Sequence, residues 1–138
     1  MMRRLFLVSV AALCLAGCAS TTQRVLDSDQ SQVQLRSIQT RAFATADKPR
    51  TIRAVIATLQ DLGFVIDKAD DDLGTVSGTK LKGYTLRMTV SVRPGNAGKV
   101  MVRASGQYNV QPITDPEPYQ DFFAALGKAM FLQAQAVD

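Results

Sequence analysis

The chain of 138 residues contains no histidine and no tryptophan, only two cysteines, and aromatic side chains at 7% of positions. Without histidine there is no Ser-His-Asp or Cys-His nucleophilic machinery, and most zinc sites lose a principal ligand. Both cysteines, Cys14 and Cys18, fall within the first eighteen residues, so the rest of the chain has no thiol and forms no disulfide within itself. Folding in an oxidising compartment then rests on the apolar core alone. Strong charge of either sign is also missing: sixteen Lys and Arg against twelve Asp and Glu leave +4, too mild a balance to argue for nucleic-acid binding.

What the N-terminus does contain is ordered. Arg3 and Arg4 precede an apolar run that ends in Leu15-Ala16-Gly17-Cys18. A basic segment, an apolar segment and a small-residue site make a secretory signal. The last four residues resemble the bacterial lipobox, and this resemblance implies cleavage before Cys18, a diacylglycerol on its sulfur and an acyl group on its new amino terminus. An ordinary signal or a short membrane anchor is the alternative, but the run is about half of the roughly 20 apolar residues that a spanning helix needs. Two or three acyl chains meet the requirement for stable anchoring. Ala19 and Ser20 follow the cysteine where inner-membrane retention usually takes an Asp, so the lipoprotein resemblance implies the outer membrane and its periplasmic face. With Arg3 and Arg4 removed from the sixteen basic residues, fourteen remain against twelve acidic ones, a net +2.

Three segments are expected: a signal at 1–17, a lipidated flexible tether at 18–32, and one domain at 33–138. The tether reads ASTTQRVLDSDQSQ after the cysteine and has little to bury. As a flexible coil it would reach about 20 Å. The remaining residues suit one domain, since two would each be near the size at which burial becomes marginal.

Within that domain, Val33 to Ala46 reads as a strand, with Val33 and Leu35 on one parity, Ile38, Thr40, Ala42 and Ala44 on the other, and a bulge near Ser37. Asp47-Lys48-Pro49 is a helix start, and Ile52, Val55, Ile56, Leu59 and Leu62 follow at helical spacing before Gly63 stops the helix. Phe64 to Asp67 reads as a short strand, Asp70 to Gly74 as a turn, and Thr75 to Lys80 as a weaker strand. Leu86, Met88, Val90 and Val92 then alternate with Arg87, Thr89, Ser91 and Arg93, which predicts one buried and one wet face. After a turn at Pro94 to Gly98, Val100, Val102, Ala104, Tyr108 and Val110 share the buried parity of the returning strand. A crossover from Gln111 to Pro118 leads to a last helix whose stripe is Tyr119, Phe122, Phe123, Leu126, Met130 and Val137.

This order predicts an α+β fold in two layers, an antiparallel sheet of about five strands with two helices on one face. It resembles the helix-grip domains of BamC-type lipoproteins of the outer-membrane barrel-assembly machinery. The segment LQDLGFVIDKADDDLGTVSGTK also resembles small uncharacterised proteobacterial lipoproteins. Neither likeness carries a catalytic motif.

Several residue groups approach a chemical motif without completing it. Asp70 and Asp72 start like a calcium loop, yet Gly74, Thr75 and Leu81 stand where further ligands and the loop glycine belong, so no metal is assigned. Gly74 to Lys80 and Gly95 to Lys99 lack the spacing of a phosphate loop. Ser77 and Lys80, three apart on a strand, face opposite sides. No catalytic residue and no cofactor are assigned, and the expectation is a protein that is not an enzyme. Cys18 is the lipidation site. Arg87, Arg93 and Arg103 share the wet parity and form a candidate docking face, with Lys80 and Lys82 elsewhere in the same meander. The expected function is an accessory or scaffold component of an envelope complex, attached to the membrane through its lipid and docked to an envelope protein. The alternative is a module that binds a lipid or other small ligand in a groove between helix and sheet.

Overall fold

The structure, a computed structural model, describes residues 31–83 and 85–135, with side chains through residue 132. The signal, Cys18, the tether up to residue 30 and Val137 lie outside the described residues. Packing divides the chain into two units, Met1–Gln34 and Leu35–Asp138, and the described part of the first, residues 31–34, is helical and exposed.

Residues 31–39 form a helix, α1, rather than the first half of a strand, and the strand β1 is confined to Thr40–Phe43. Leu35 and Ile38, three apart, occupy one face of that helix and pack against the core. The domain thus has three helices where two were expected.

Asp47 caps the helix α2 (Lys48–Asp61): its carboxylate accepts from the Arg50 N–H at 2.9 Å, and Pro49 sits in the first turn where it displaces no hydrogen bond. Gly63 closes the helix at φ +86°, with its N–H donating to Gln60 O and the Phe64 N–H reaching back to Leu59 O. That pair of bonds needs a left-handed residue, which glycine adopts without steric cost.

The strands β2 (Val65–Asp70), β3 (Thr75–Leu81), β4 (Thr85–Pro94) and β5 (Val100–Tyr108) follow, and then a two-residue strand β6 (Gln111–Pro112). The sheet order is β1-β5-β4-β3-β2, β6 pairs with β5 beyond β1, and every pairing is antiparallel. β1 therefore makes no parallel crossover. The returning strand ends at Tyr108, and Val110, assigned to the buried parity by alternation, is 82% exposed. Asn109 turns the chain at φ +53°, and its side-chain oxygen accepts from the Thr85 N–H. The crossover expected from Gln111 to Pro118 begins instead with β6 folding back onto β5.

The helix α3 (Glu117–Gln135) buries Tyr119, Phe122, Phe123 and Leu126, with Met130 half-buried, against the same sheet face as Ile52, Val55 and Leu59 of α2. Leu86, Met88, Val90 and Val92 of β4 and Val100, Val102 and Ala104 of β5 form the floor of that layer. At about 25 cal/mol per Å² of apolar area, this shared surface is the main stabilising term of the fold. The opposite face of the sheet has no helix over it among the described residues.

Candidate functional site

The open face is a set of rows fixed by strand register. Thr40 of β1, Arg103 of β5 and Ser91 of β4 stand directly beside one another, and Ala42, Met101 and Arg93 form the adjacent row. Residues paired across antiparallel strands project to the same side. Thr40, Ser91, Arg93, Met101 and Arg103 consequently line a hollow of about 300 Å³. No carboxylate among the described residues lines it. Further along the face stand Thr75, Ser77, Thr79, Thr89 and Ser105, short hydroxyl side chains that suit a wet strand surface.

Arg87, Arg93 and Arg103 are all exposed, as their alternation predicts, but they are not one cluster. Arg93 and Arg103 are diagonal neighbours. Arg87 lies six residues from Arg93 along β4, about 20 Å at the rise of an extended strand, and its partners are Thr79 and Gln107. Arg103 is also held from one side: one of its guanidinium nitrogens donates to Gln39 Oε1 at 3.4 Å. Gln39 is buried, and its Nε2 donates to the Tyr119 hydroxyl at 3.1 Å. No protein-family model matches the chain, and no curated protein matches it in sequence.

The Tyr119 hydroxyl is the hub of this network. It accepts from the Gly106 N–H at 3.2 Å and donates to Ile113 O at 2.8 Å, while the Ile113 N–H donates to Gly106 O at 2.9 Å. The phenol thus stands between two backbone groups that would otherwise pair as the next rung of the β5–β6 ladder. A buried N–H or C=O without a partner costs about 1–3 kcal/mol, so the hydroxyl ties α3 to the sheet as well as positioning Gln39 for Arg103.

A second concavity lies on the covered side, between the end of α2, the start of α3 and the sheet. Leu62, Phe64, Leu86 and Met88 make its floor, and Asp115, Glu117 and Asp121 stand at its rim, around about 240 Å³. Lys80 enters from β3, where its Nζ donates to Leu62 O at 2.7 Å and lies 5.9 Å from the Phe64 ring centroid. Lys80 is therefore a wall of the cleft rather than a member of the open basic face. Ser77 points to the opposite side, in line with its parity. Carboxylates at the start of α3 complement the positive end of the helix, and Asp115 Oδ1 accepts from the Glu117 N–H.

The acidic turn between β2 and β3 is occupied by its own chain. Asp70 Oδ1 accepts from the Leu73 N–H, Asp67 accepts from the Thr79 hydroxyl, and Lys48 Nζ donates to Asp72 O. Among the described residues no group of three or more Cys, Asp or Glu side chains is gathered to hold a metal ion.

Gln39, Thr40, Ser91 and Met101 are the site residues that the sequence alone does not single out. The pairing of β1 with β5 brings Thr40 and Gln39 to Arg103, and no local signal marks it, since Gln39 and Arg103 lie 64 residues apart. Met101 did carry a signal, since its parity on the returning strand matches Arg103.

Proposed function

We propose that this protein is a non-catalytic lipoprotein, anchored through Cys18 on the periplasmic face of the outer membrane, that serves an envelope complex as an accessory or scaffold component. The Leu15-Ala16-Gly17-Cys18 sequence behind Arg3, Arg4 and an apolar run supports the anchor. No helix among the described residues is long and apolar enough to cross a membrane, so on this reading the lipid makes the attachment. The observation that carries the docking role is the asymmetry of the sheet. One face is covered by α2 and α3, whereas the other presents Arg93 and Arg103 in a hollow that no carboxylate among the described residues lines. Such a surface is complementary to an acidic partner.

Metabolic labelling with a radioactive fatty acid tests the anchor. Cys18→Ser should abolish the label and leave an uncleaved precursor, because serine offers no thiol to the diacylglycerol. Label retained on the variant rejects the lipoprotein reading. Crosslinking and co-isolation from membranes test the docking role, with Arg93→Glu and Arg103→Glu expected to lose the partner.

The cleft at the ends of α2 and α3 favours a second reading, a module that binds a lipid or another small apolar ligand. Its floor is apolar and its volume, about 240 Å³, admits a short acyl segment. An apolar fluorescent probe should bind in a one-to-one ratio and be displaced by a fatty acid. Absence of saturable binding would leave the docking reading alone.

A further inference from the structure

We propose that the hollow formed by Thr40, Ser91, Arg93, Met101 and Arg103 is a binding site for a single phosphate group. The proposal deepens the docking reading, on which it rests for the role of this face, by naming the chemistry that the face recognises.

Geometry sets the scale. The register places Ser91 opposite Arg103 and Arg93 opposite Met101, so the two arginines are diagonal neighbours with backbones about 7–8 Å apart. A tetrahedral oxyanion seated between them meets a guanidinium on each side. Two like charges at this spacing repel one another, and an anion between them turns that repulsion into attraction on both sides. Among the described residues no carboxylate takes that place.

The donor set favours phosphate over carboxylate. A carboxylate is satisfied by one guanidinium fork with two parallel bonds. A phosphate group has oxygens pointing in several directions and needs donors from more than one side. The hollow supplies two forks at different rows of the sheet, and the hydroxyls of Thr40 and Ser91 flank Arg103 on either side. Arg103 is partly preorganised, because the buried Gln39 amide oxygen takes one nitrogen at 3.4 Å and leaves the rest of the fork for a ligand. Met101, 37% exposed, closes the neighbouring row with an apolar wall that excludes some water from the ion.

The phosphate could be a free ion or the headgroup of a membrane lipid. Both share the chemistry that the hollow recognises, and an experiment separates them. The full-length chain is purified in uncharged detergent micelles and titrated by calorimetry with inorganic phosphate, with acetate, and with micelles doped with phosphatidylglycerol or phosphatidylcholine. Saturable one-to-one binding is expected for inorganic phosphate or phosphatidylglycerol, with acetate and phosphatidylcholine weaker by about tenfold or more. Saturation by phosphatidylglycerol alone assigns the site to a lipid headgroup, and saturation by inorganic phosphate assigns it to a free ion. Arg93→Gln and Arg103→Gln should each weaken binding at least about tenfold. Arg87→Gln, on the same face but outside the hollow, should leave it within about twofold.

Equal losses in all three variants would mean diffuse charge and overturn the proposal, as would no saturable response to either phosphate source. Circular dichroism of each variant distinguishes a lost site from a lost fold. Should phosphate binding fail while co-isolation of a protein partner persists, the phosphate site falls and the docking role stands. Should binding hold while co-isolation fails, the docking role falls instead.

Discussion

Replacing Tyr119 with Phe removes one oxygen from a side chain with no solvent exposure and leaves its packing unchanged. The hydroxyl serves three partners: it accepts from Gln39 Nε2 and the Gly106 N–H and donates to Ile113 O. Gln39 is the least demanding of these, since its amide retains the contact with Arg103 near the surface. Gly106 and Ile113 are buried backbone, and each orphaned group costs about 1–3 kcal/mol. Some of this is recovered if β5 and β6 close the gap and pair directly, as the existing Ile113 N–H to Gly106 O bond allows. The expected net loss is about 2–4 kcal/mol. Urea unfolding of the chain from Ala19 onward, followed by circular dichroism, measures it. With a slope of about 2 kcal/mol per molar urea, the midpoint should fall by about 1–2 M. The Gly106 amide proton should also lose protection against hydrogen exchange, which a general loosening of the core would not single out. A double-mutant cycle with Gln39→Leu should give a coupling of about 0.5–3 kcal/mol. A loss below about 0.5 kcal/mol, with an unchanged slope and a protected Gly106, would refute the hub.

Leu59→Ala, at a fully buried position of α2, should cost about 2–5 kcal/mol in the same unfolding assay. Gly74→Ala should be at least as damaging. Gly74 holds φ +68°, and an added Cβ would stand 2.4 Å from Val92 O, so soluble yield and unfolding midpoint should both drop. Gly127→Ala should act in the opposite sense: Gly127 lies inside α3 with nothing within 4 Å of its Cβ position, so the helix should gain about 0.5–1 kcal/mol. Joint reversal of Arg87, Arg93 and Arg103 to Glu should leave the circular dichroism spectrum native, with stability within about 0.5 kcal/mol at Arg87 and Arg93, which are exposed on the helix-free face, and a larger loss at Arg103, whose replacement takes the donor from the buried Gln39 Oε1.

The elements that could be read from the sequence are those whose local chemistry and tertiary environment agree. In α2, the cap at Asp47, the proline at Pro49, the stripe from Ile52 to Leu59 and the stop at Gly63 all point to one helix. In β4, strict alternation states which side chains face the core. Residues 31–39 show the opposite case. Val33 and Leu35 share one strand parity and Ile38 and Thr40 the other, but Leu35 and Ile38 are also three apart, which is a helical contact with the core. Arg36 and Ser37 stand between them, and no glycine or proline separates α1 from β1. The choice is made by packing, not by local preference.

Asn109 carries a local signal that ends the alternation of β5. Asparagine tolerates the left-handed conformation better than most residues, and its side chain closes a turn by accepting from the Thr85 N–H. Alternation continued through it puts Val110 inside, whereas the chain has already reversed and Val110 is exposed. Lys80 is the contrary case: it lies three from Ser77 on a strand and so faces the opposite side, sharing parity with the buried Val76 and Gly78.

The candidate site was legible in kind but not in grouping. Alternation along β4 and β5 identifies the wet side chains and so finds Arg87, Arg93 and Arg103. It cannot say which meet, because that depends on how the two strands slide against each other. The register pairs Ser91 with Arg103, and this alone makes Arg93 its diagonal neighbour and leaves Arg87 about 20 Å away. A slip by two residues would keep every side chain on its face and preserve the buried stripe, yet would dissolve the hollow. The hairpin turn therefore carries functional information as well as structural information. Asn96 O accepts from the Lys99 N–H, Lys99 O accepts from the Gly95 N–H, and positive φ at Ala97 and Gly98 fixes the length of the reversal. Inserting two residues into this turn should spare the fold more than the site. On the argument above, phosphate binding should fall with the register while the β4 and β5 amides remain protected, and retention of both after insertion would mean that the two arginines act independently of each other.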